Sequence, residues 1–87
     1  MGRENGGVLM SRGYYIYKAY IKKTGEELGF GTVKYDAEHI IKNYICAEYS
    51  TQDPVERSQI AKNDFGVQRY YSGALGKGVD CKFEVRF

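Results

Sequence analysis

The nine residues Val79 to Phe87 constrain this chain more than any other stretch. Val79, Cys81, Phe83, Val85 and Phe87 are apolar, and the positions between them hold Asp80, Lys82, Glu84 and Arg86. Side chains of an extended chain point to opposite sides with a period of two, so this pattern predicts a strand with one dry face and one wet face. The rest of the molecule is expected to cover the dry side.

Two helices are predicted to do so. Asp36 has the chemistry of an N-cap, able to accept a hydrogen bond from an orphan amide of the first turn. Tyr35 and Ile40 flank it at the spacing of a hydrophobic staple. Ala37, Ile40, Ile41, Tyr44 and Ile45 then recur on one helical stripe, which places the first helix over about 37–49. Asp53-Pro54-Val55-Glu56 offers a cap, a proline at the first helical position and an acid at the third, and so starts a second helix. That helix is expected to end near 63–66. Its apolar residues Val55, Ile60, Ala61 and Phe65 share no narrow stripe.

Strands flank the helices. The Tyr- and Ile-rich run 14–23 has strand composition, the turn Thr24-Gly25-Glu26-Glu27 follows it, and 28–35 completes a hairpin. Tyr15, Tyr17, Ala19 and Ile21 form the better core face. Gly29 and Gly31 leave room on that same face for a helix to approach. A short strand is expected over 67–72, and the glycine-rich loop 73–78 leads into the final strand. The order is β-β-α-α-β-β: an α+β fold in which an antiparallel sheet of three to four strands carries two helices on one face.

Eighty-seven residues make one domain with a small core. Nine Tyr and four Phe compensate, since each ring buries a large area. Residues 1–9 are expected to lie outside the domain, as a translated leader or a disordered tail, with the α+β domain over 10–87. Asn5 to Met10 can be encoded by DNA holding a strong bacterial ribosome-binding sequence upstream of an ATG, which points to Met10 as the start and to a bacterial, phage or mobile-element gene. Two cysteines make no disulfide scaffold, and no stretch is long and apolar enough for a membrane span. The location expected is the cytoplasm, with reduced thiols and no membrane contact.

No constellation of catalytic residues emerges. His39, the single histidine, lies seven residues from Cys46 on the first helix, about 10 Å along its axis, too far for a base and its nucleophile. One His and two Cys lack the paired spacing of a closed zinc site. Gly76-Lys77 fails the phosphate-loop pattern, because Tyr71 and Gly78 stand where a Gly and a Ser or Thr are required. What survives in that loop is a set of amides and one Lys that could hold an anion. Asp80-Cys81-Lys82 has the acid-x-Lys spacing of a nuclease half-site and supplies the enzyme alternative, a small metal-dependent nuclease. The expectation is a protein that is not an enzyme and needs no cofactor.

Charge is unevenly distributed. Residues 11–35 hold five basic and two acidic groups, 36–64 hold three and six, and 65–87 hold four and two. With the dry face of the last strand against the helices, an outer surface of Tyr14, Ile16, Lys18, Tyr20, Lys22, Phe30, Thr32, Lys34, Lys82 and Arg86 is expected, diluted by Asp80 and Glu84. Basic groups interleaved with rings suit bases and phosphates, with Arg69 and Lys77 assisting. They also suit a protein interface or a homodimer that buries the same face. Neither the element order nor the residues match an RNA-recognition domain. The leading expectation is a stoichiometric binder of a host protein, an inhibitor or accessory protein of a phage or mobile element. Single-stranded nucleic acid or a nucleotide is the alternative ligand.

Overall fold

The structure is a computed structural model and describes residues 14–71 and 78–87. Its elements follow the order read from the sequence: β1 (Tyr15–Ile21), β2 (Glu27–Gly31), α1 (Lys34–Glu48), α2 (Pro54–Asp64), β3 (Phe65–Tyr71) and β4 (Val79–Cys81). The four strands form one antiparallel sheet in the spatial order β2-β1-β3-β4. The helical pair therefore carries the chain from one edge strand across β1 to β3.

The β1–β2 hairpin closes on Gly25, whose φ of 77° lies in the left-handed region that a side chain disfavours. Its N–H donates to the Ile21 carbonyl at 2.7 Å. Register then decides which residues meet the helices. Ala19 stands opposite Gly29 and Val67, and Ile21 opposite Phe65, so these residues share the inner face. The pairing of Ala19 with Gly29 and of Tyr20 with Glu27 leaves Leu28 as an extra residue in β2. Such a bulge re-aims side chains. Here it turns Leu28 onto the core and Glu27 to the outer face.

The core joins Ala19, Phe65 and Val67 of the sheet to Ala37, Ile41 and Ile45 of α1, Ala61 of α2, and Val85. Phe65, Ile41, Ile45 and Val67 are its largest fully buried side chains, each worth about 1.5–3 kcal/mol of transfer free energy. Tyr44 and Tyr49 meet the Phe65 ring edge-on, at centroid distances of 5.6 and 6.3 Å. The α1 stripe is the one read from the sequence. In α2 only Ala61 is buried, which accords with its lack of a stripe.

Both helix starts use the expected acids, one of them differently. Asp53 is the N-cap of α2 and accepts the Val55 N–H at 3.0 Å, with Pro54 next in line. Glu56 accepts a hydrogen bond from the Thr51 hydroxyl. Asp36 is not the N-cap of α1. The helix begins two residues earlier, and the Asp36 carboxylate reaches back from the third position to the amides of Thr32 and Val33, at 3.1 and 3.4 Å. The strand before it ends at Gly31, where a β-carbon would run into Asp36. Tyr35 consequently sits in the first turn, exposed and stacked on His39, and forms no staple with Ile40. Ile40 packs over Gly29 instead, 3.0 Å from where a β-carbon would stand.

The last strand is shorter than its alternation implied. Only Val79 to Cys81 pair with β3; 82–87 leave the sheet and run extended against the helices. Val85 is buried there, Phe83 and Phe87 are half-buried, and Lys82, Glu84 and Arg86 are exposed. The Ser58 hydroxyl of α2 donates to the Val85 carbonyl at 3.0 Å, and the Glu84 N–H donates to the Glu38 carboxylate of α1 at 3.0 Å. The dry side of the segment thus meets helices directly. Residues 1–13 and 72–77 lie outside the described residues, so the expected leader at 1–9 and the Lys77 loop do as well.

Candidate functional site

The outer face of the sheet is built in cross-strand rows. Ile16 stands beside Tyr70; Phe30, Lys18, Gln68 and Asp80 make the next row; Glu27, Tyr20 and Gly66 make the third. Among the described residues no helix packs on this face. Two tyrosines lie flat along it over glycines. The Tyr20 ring covers Gly66, and the Tyr70 ring covers Gly78. An aromatic ring laid over a cross-strand glycine replaces the packing that the glycine lacks.

Hydrogen bonds hold both rings in place. The Tyr20 hydroxyl donates to Asp80 Oδ1 at 2.9 Å, and the Tyr70 hydroxyl donates to Gln68 Oε1 at 2.9 Å. Burial of the Tyr20 phenol, and then the neighbouring Asp80 carboxylate, push its pKa above the usual value of 10.0. Lys18 Nζ lies 4.7 Å from the centre of the Tyr70 ring and 3.5 Å from the Glu27 carboxylate. Phe30 is the most exposed large apolar side chain of the face, at 64%.

Of the residues expected to share this surface, Ile16, Lys18, Tyr20 and Phe30 do. The others are placed elsewhere. Tyr14 precedes β1 and is exposed. Lys22 lies beyond the end of β1, and its ammonium donates to the Lys62 carbonyl in the last turn of α2 at 3.3 Å, where the helix dipole favours a cation. Lys34 opens α1, because the chain bends at Thr32 and Val33. Lys82 and Arg86 belong to the segment that crosses the helices. Arg69 sits on the inner face of β3, its guanidinium 4.6 Å from the centre of the Tyr15 ring, beside Tyr71 at the end of the sheet. Among the described residues the outer face therefore carries one cation, Lys18, with two carboxylates, Glu27 and Asp80.

The displaced basic residues meet again. Lys34, Lys82 and Arg86 line a groove of about 640 Å³ between the first turns of α1 and the crossing segment. Lys42 and the Tyr35–His39 stack complete its helical wall. Lys34 Nζ spans the two walls by donating to the Lys82 carbonyl at 2.9 Å. A second groove of about 500 Å³ lies between α2 and the same segment, where Val55 and Phe87 are prominent.

Lys42 and Tyr70 were not singled out by the sequence. Helical spacing marks the first, since Tyr35, His39 and Lys42 fall four and seven residues apart on one side of α1. Tyr70 becomes visible only once β3 is placed beside β1. The nuclease alternative has Asp80 on the outer face, engaged by Tyr20, while Lys82 leaves the sheet. Among the described residues, no three His, Cys, Asp or Glu side chains gather into a group that could hold a metal ion. No described helix is long and apolar enough to cross a membrane.

Comparison of the chain with family profiles, with curated proteins and with solved structures gives no match.

Proposed function

We propose that this is a non-catalytic binding protein whose outer sheet face takes a protein partner. We place it as an accessory protein of a phage or mobile element that inhibits a host protein by occupying it. The observation that carries the choice of partner is the make-up of that face. Ile16, Tyr20, Phe30 and Tyr70 supply broad, flat apolar surface, whereas among the described residues the face has one lysine, matched by two acids. A phosphate backbone needs cations, and its affinity comes chiefly from them. A protein surface needs rings with little entropy left to lose. Tyr20 and Tyr70 are already fixed over glycines by hydrogen bonds, so docking orders them no further.

The test is a pull-down from a bacterial lysate with the tagged full chain, with and without nuclease, using wild type, Phe30→Glu and Lys82→Glu/Arg86→Glu. A discrete protein retained after nuclease by the wild type and the double variant, and lost with Phe30→Glu, is expected. A central aromatic anchor is worth about 2 kcal/mol or more, roughly a 30-fold loss of affinity. Retention unaffected by Phe30→Glu in a folded protein would overturn the choice of face. Recovery of nucleic acid alone would overturn the choice of partner.

A further inference from the structure

The groove between α1 and the segment 82–87 has the opposite chemistry to the sheet face. Its side chains include four permanent cations, Lys34, Lys42, Lys82 and Arg86. Two acids, Glu38 and Glu84, also line it, and Glu38 has a task in the wall. The Glu38 carboxylate accepts the Glu84 amide and so pins the segment to the helix. Glu84 lies 3.4 Å from Arg86, but both side chains are more than two-thirds exposed, at 71% and 82%. An ion pair that wet is worth little and leaves the guanidinium available.

The groove also has a flat ledge. Tyr35 and His39 stack with centroids 5.7 Å apart and ring planes 22° from parallel. Tyr35 is 67% exposed and takes no part in the core. Its position in the first turn follows from the early start of α1, so the ring is held on rigid helical backbone. The volume, about 640 Å³, falls within the range of about 300–1,000 Å³ that accommodates small organic ligands.

We propose that this groove binds a nucleoside monophosphate or diphosphate, with the base on the Tyr35–His39 ledge and the phosphate among Lys42, Lys82 and Arg86. Lys34 acts as a strut: its bond to the Lys82 carbonyl sets the separation of the walls. The cations supply the charge and the ledge supplies stacking, so neither half of the ligand suffices. The site lies apart from the sheet face, so its failure would leave the proposed protein interface untouched, and the reverse also holds.

Titration of the full-length protein with AMP, followed by amide NMR and calorimetry, tests the site against adenosine and inorganic phosphate as half-ligands. Saturable shifts centred on Tyr35, His39 and Glu84 are expected, with each half-ligand at least tenfold weaker than AMP. Lys82→Glu/Arg86→Glu should weaken AMP at least tenfold, and Tyr35→Ala should weaken AMP without changing inorganic phosphate. Both variants alter exposed side chains, and their unshifted core amides would report that the fold is intact. Shifts confined to the outer sheet face, no saturable binding, or phosphate binding as tightly as AMP would overturn the assignment. Binding of a single-stranded oligonucleotide but not of AMP would overturn it as well.

Discussion

Replacing Gly66 by alanine should destabilise the protein, although a strand interior ordinarily gains from that change. Gly66 lies in β3, and Gly25 is the glycine with positive φ among the described residues. On backbone entropy alone, alanine in such a place is better by about 0.5–1 kcal/mol. Opposing this, the new β-carbon would stand 2.5 Å from Tyr20 Cζ and 2.6 Å from its Cε1. The ring would have to swing off β3 and release Asp80. Overpacking of this kind costs about 1–3 kcal/mol, so the steric effect outweighs the entropic gain over most of its range and a net loss of up to about 2.5 kcal/mol is expected. In a Tyr20→Ala background the obstruction is gone. The same substitution should then stabilise by about 0.5–1 kcal/mol, a reversal of sign. Urea unfolding of the wild type, both single variants and the double variant, followed by circular dichroism, closes the cycle. Against a total stability of roughly 4–13 kcal/mol for a chain of this length, the coupling is large enough to resolve. Equal effects in the two backgrounds, or a stabilising Gly66→Ala in the wild type, would refute the account of Tyr20 as a ring seated on Gly66.

Three further outcomes are expected. Phe65→Ala removes a fully buried ring and its edge contacts with Tyr44 and Tyr49, so it should cost about 3–5 kcal/mol; a urea midpoint near that of the wild type would contradict the core described above. Burial pushes the Cys81 thiol up, with partial relief from Lys34 and Arg69, whereas Cys46 is exposed. Iodoacetamide at mildly alkaline pH should therefore modify Cys46 first, and peptide mass spectrometry showing Cys81 modified first would count against that placement. Burial raises the phenols of Tyr20 and Tyr49 above 10.0, with Asp80 and Asp64 adding to the effect. The folded state thus holds these protons more tightly than the unfolded chain does. The resulting stability is fully present below pH 10.0 and is lost as pH rises through the folded-state values, so the urea midpoint should fall above that pH and fall less in Tyr20→Phe.

The sequence disclosed side-chain periodicity well and backbone partnership poorly. The stripe Ala37, Ile41, Ile45 and the Asp53-Pro54 start were legible because each is a local rule with one structural meaning. The alternation through Phe87 was equally clear, yet a period of two describes an extended segment whatever lies against it. Nothing in Phe83 or Val85 distinguishes a neighbouring strand from a pair of helices. The Asp36 carboxylate was legible as a helix-start signal, but the same acid can cap from the N-cap or from the third position. That ambiguity of a few residues moved Lys34 and Tyr35 from a strand to a helix. The basic surface expected on one face was divided accordingly: Lys18 stayed, and Lys34, Lys82 and Arg86 reassembled around the groove. Tyr20 over Gly66 was out of reach for another reason, since cross-strand register depends on pairing between residues far apart in sequence.

The direct junction of α2 with β3 has a consequence for how this fold tolerates change. Asp64 ends the helix and Phe65 begins the strand, with no connecting residue between them. Insertion of one residue into α2 would rotate everything beyond it by about 100°. If the strand slipped to compensate, each of its side chains would move to the opposite face. Phe65 and Val67 would then turn toward water, and Gln68 and Tyr70 toward the helices. The helix therefore works as a counting device for the sheet, and its length is fixed by the phase of β3. Insertions and deletions should accumulate in the turn around Gly25, where the chain can take up slack, and be excluded between Asp53 and Phe65.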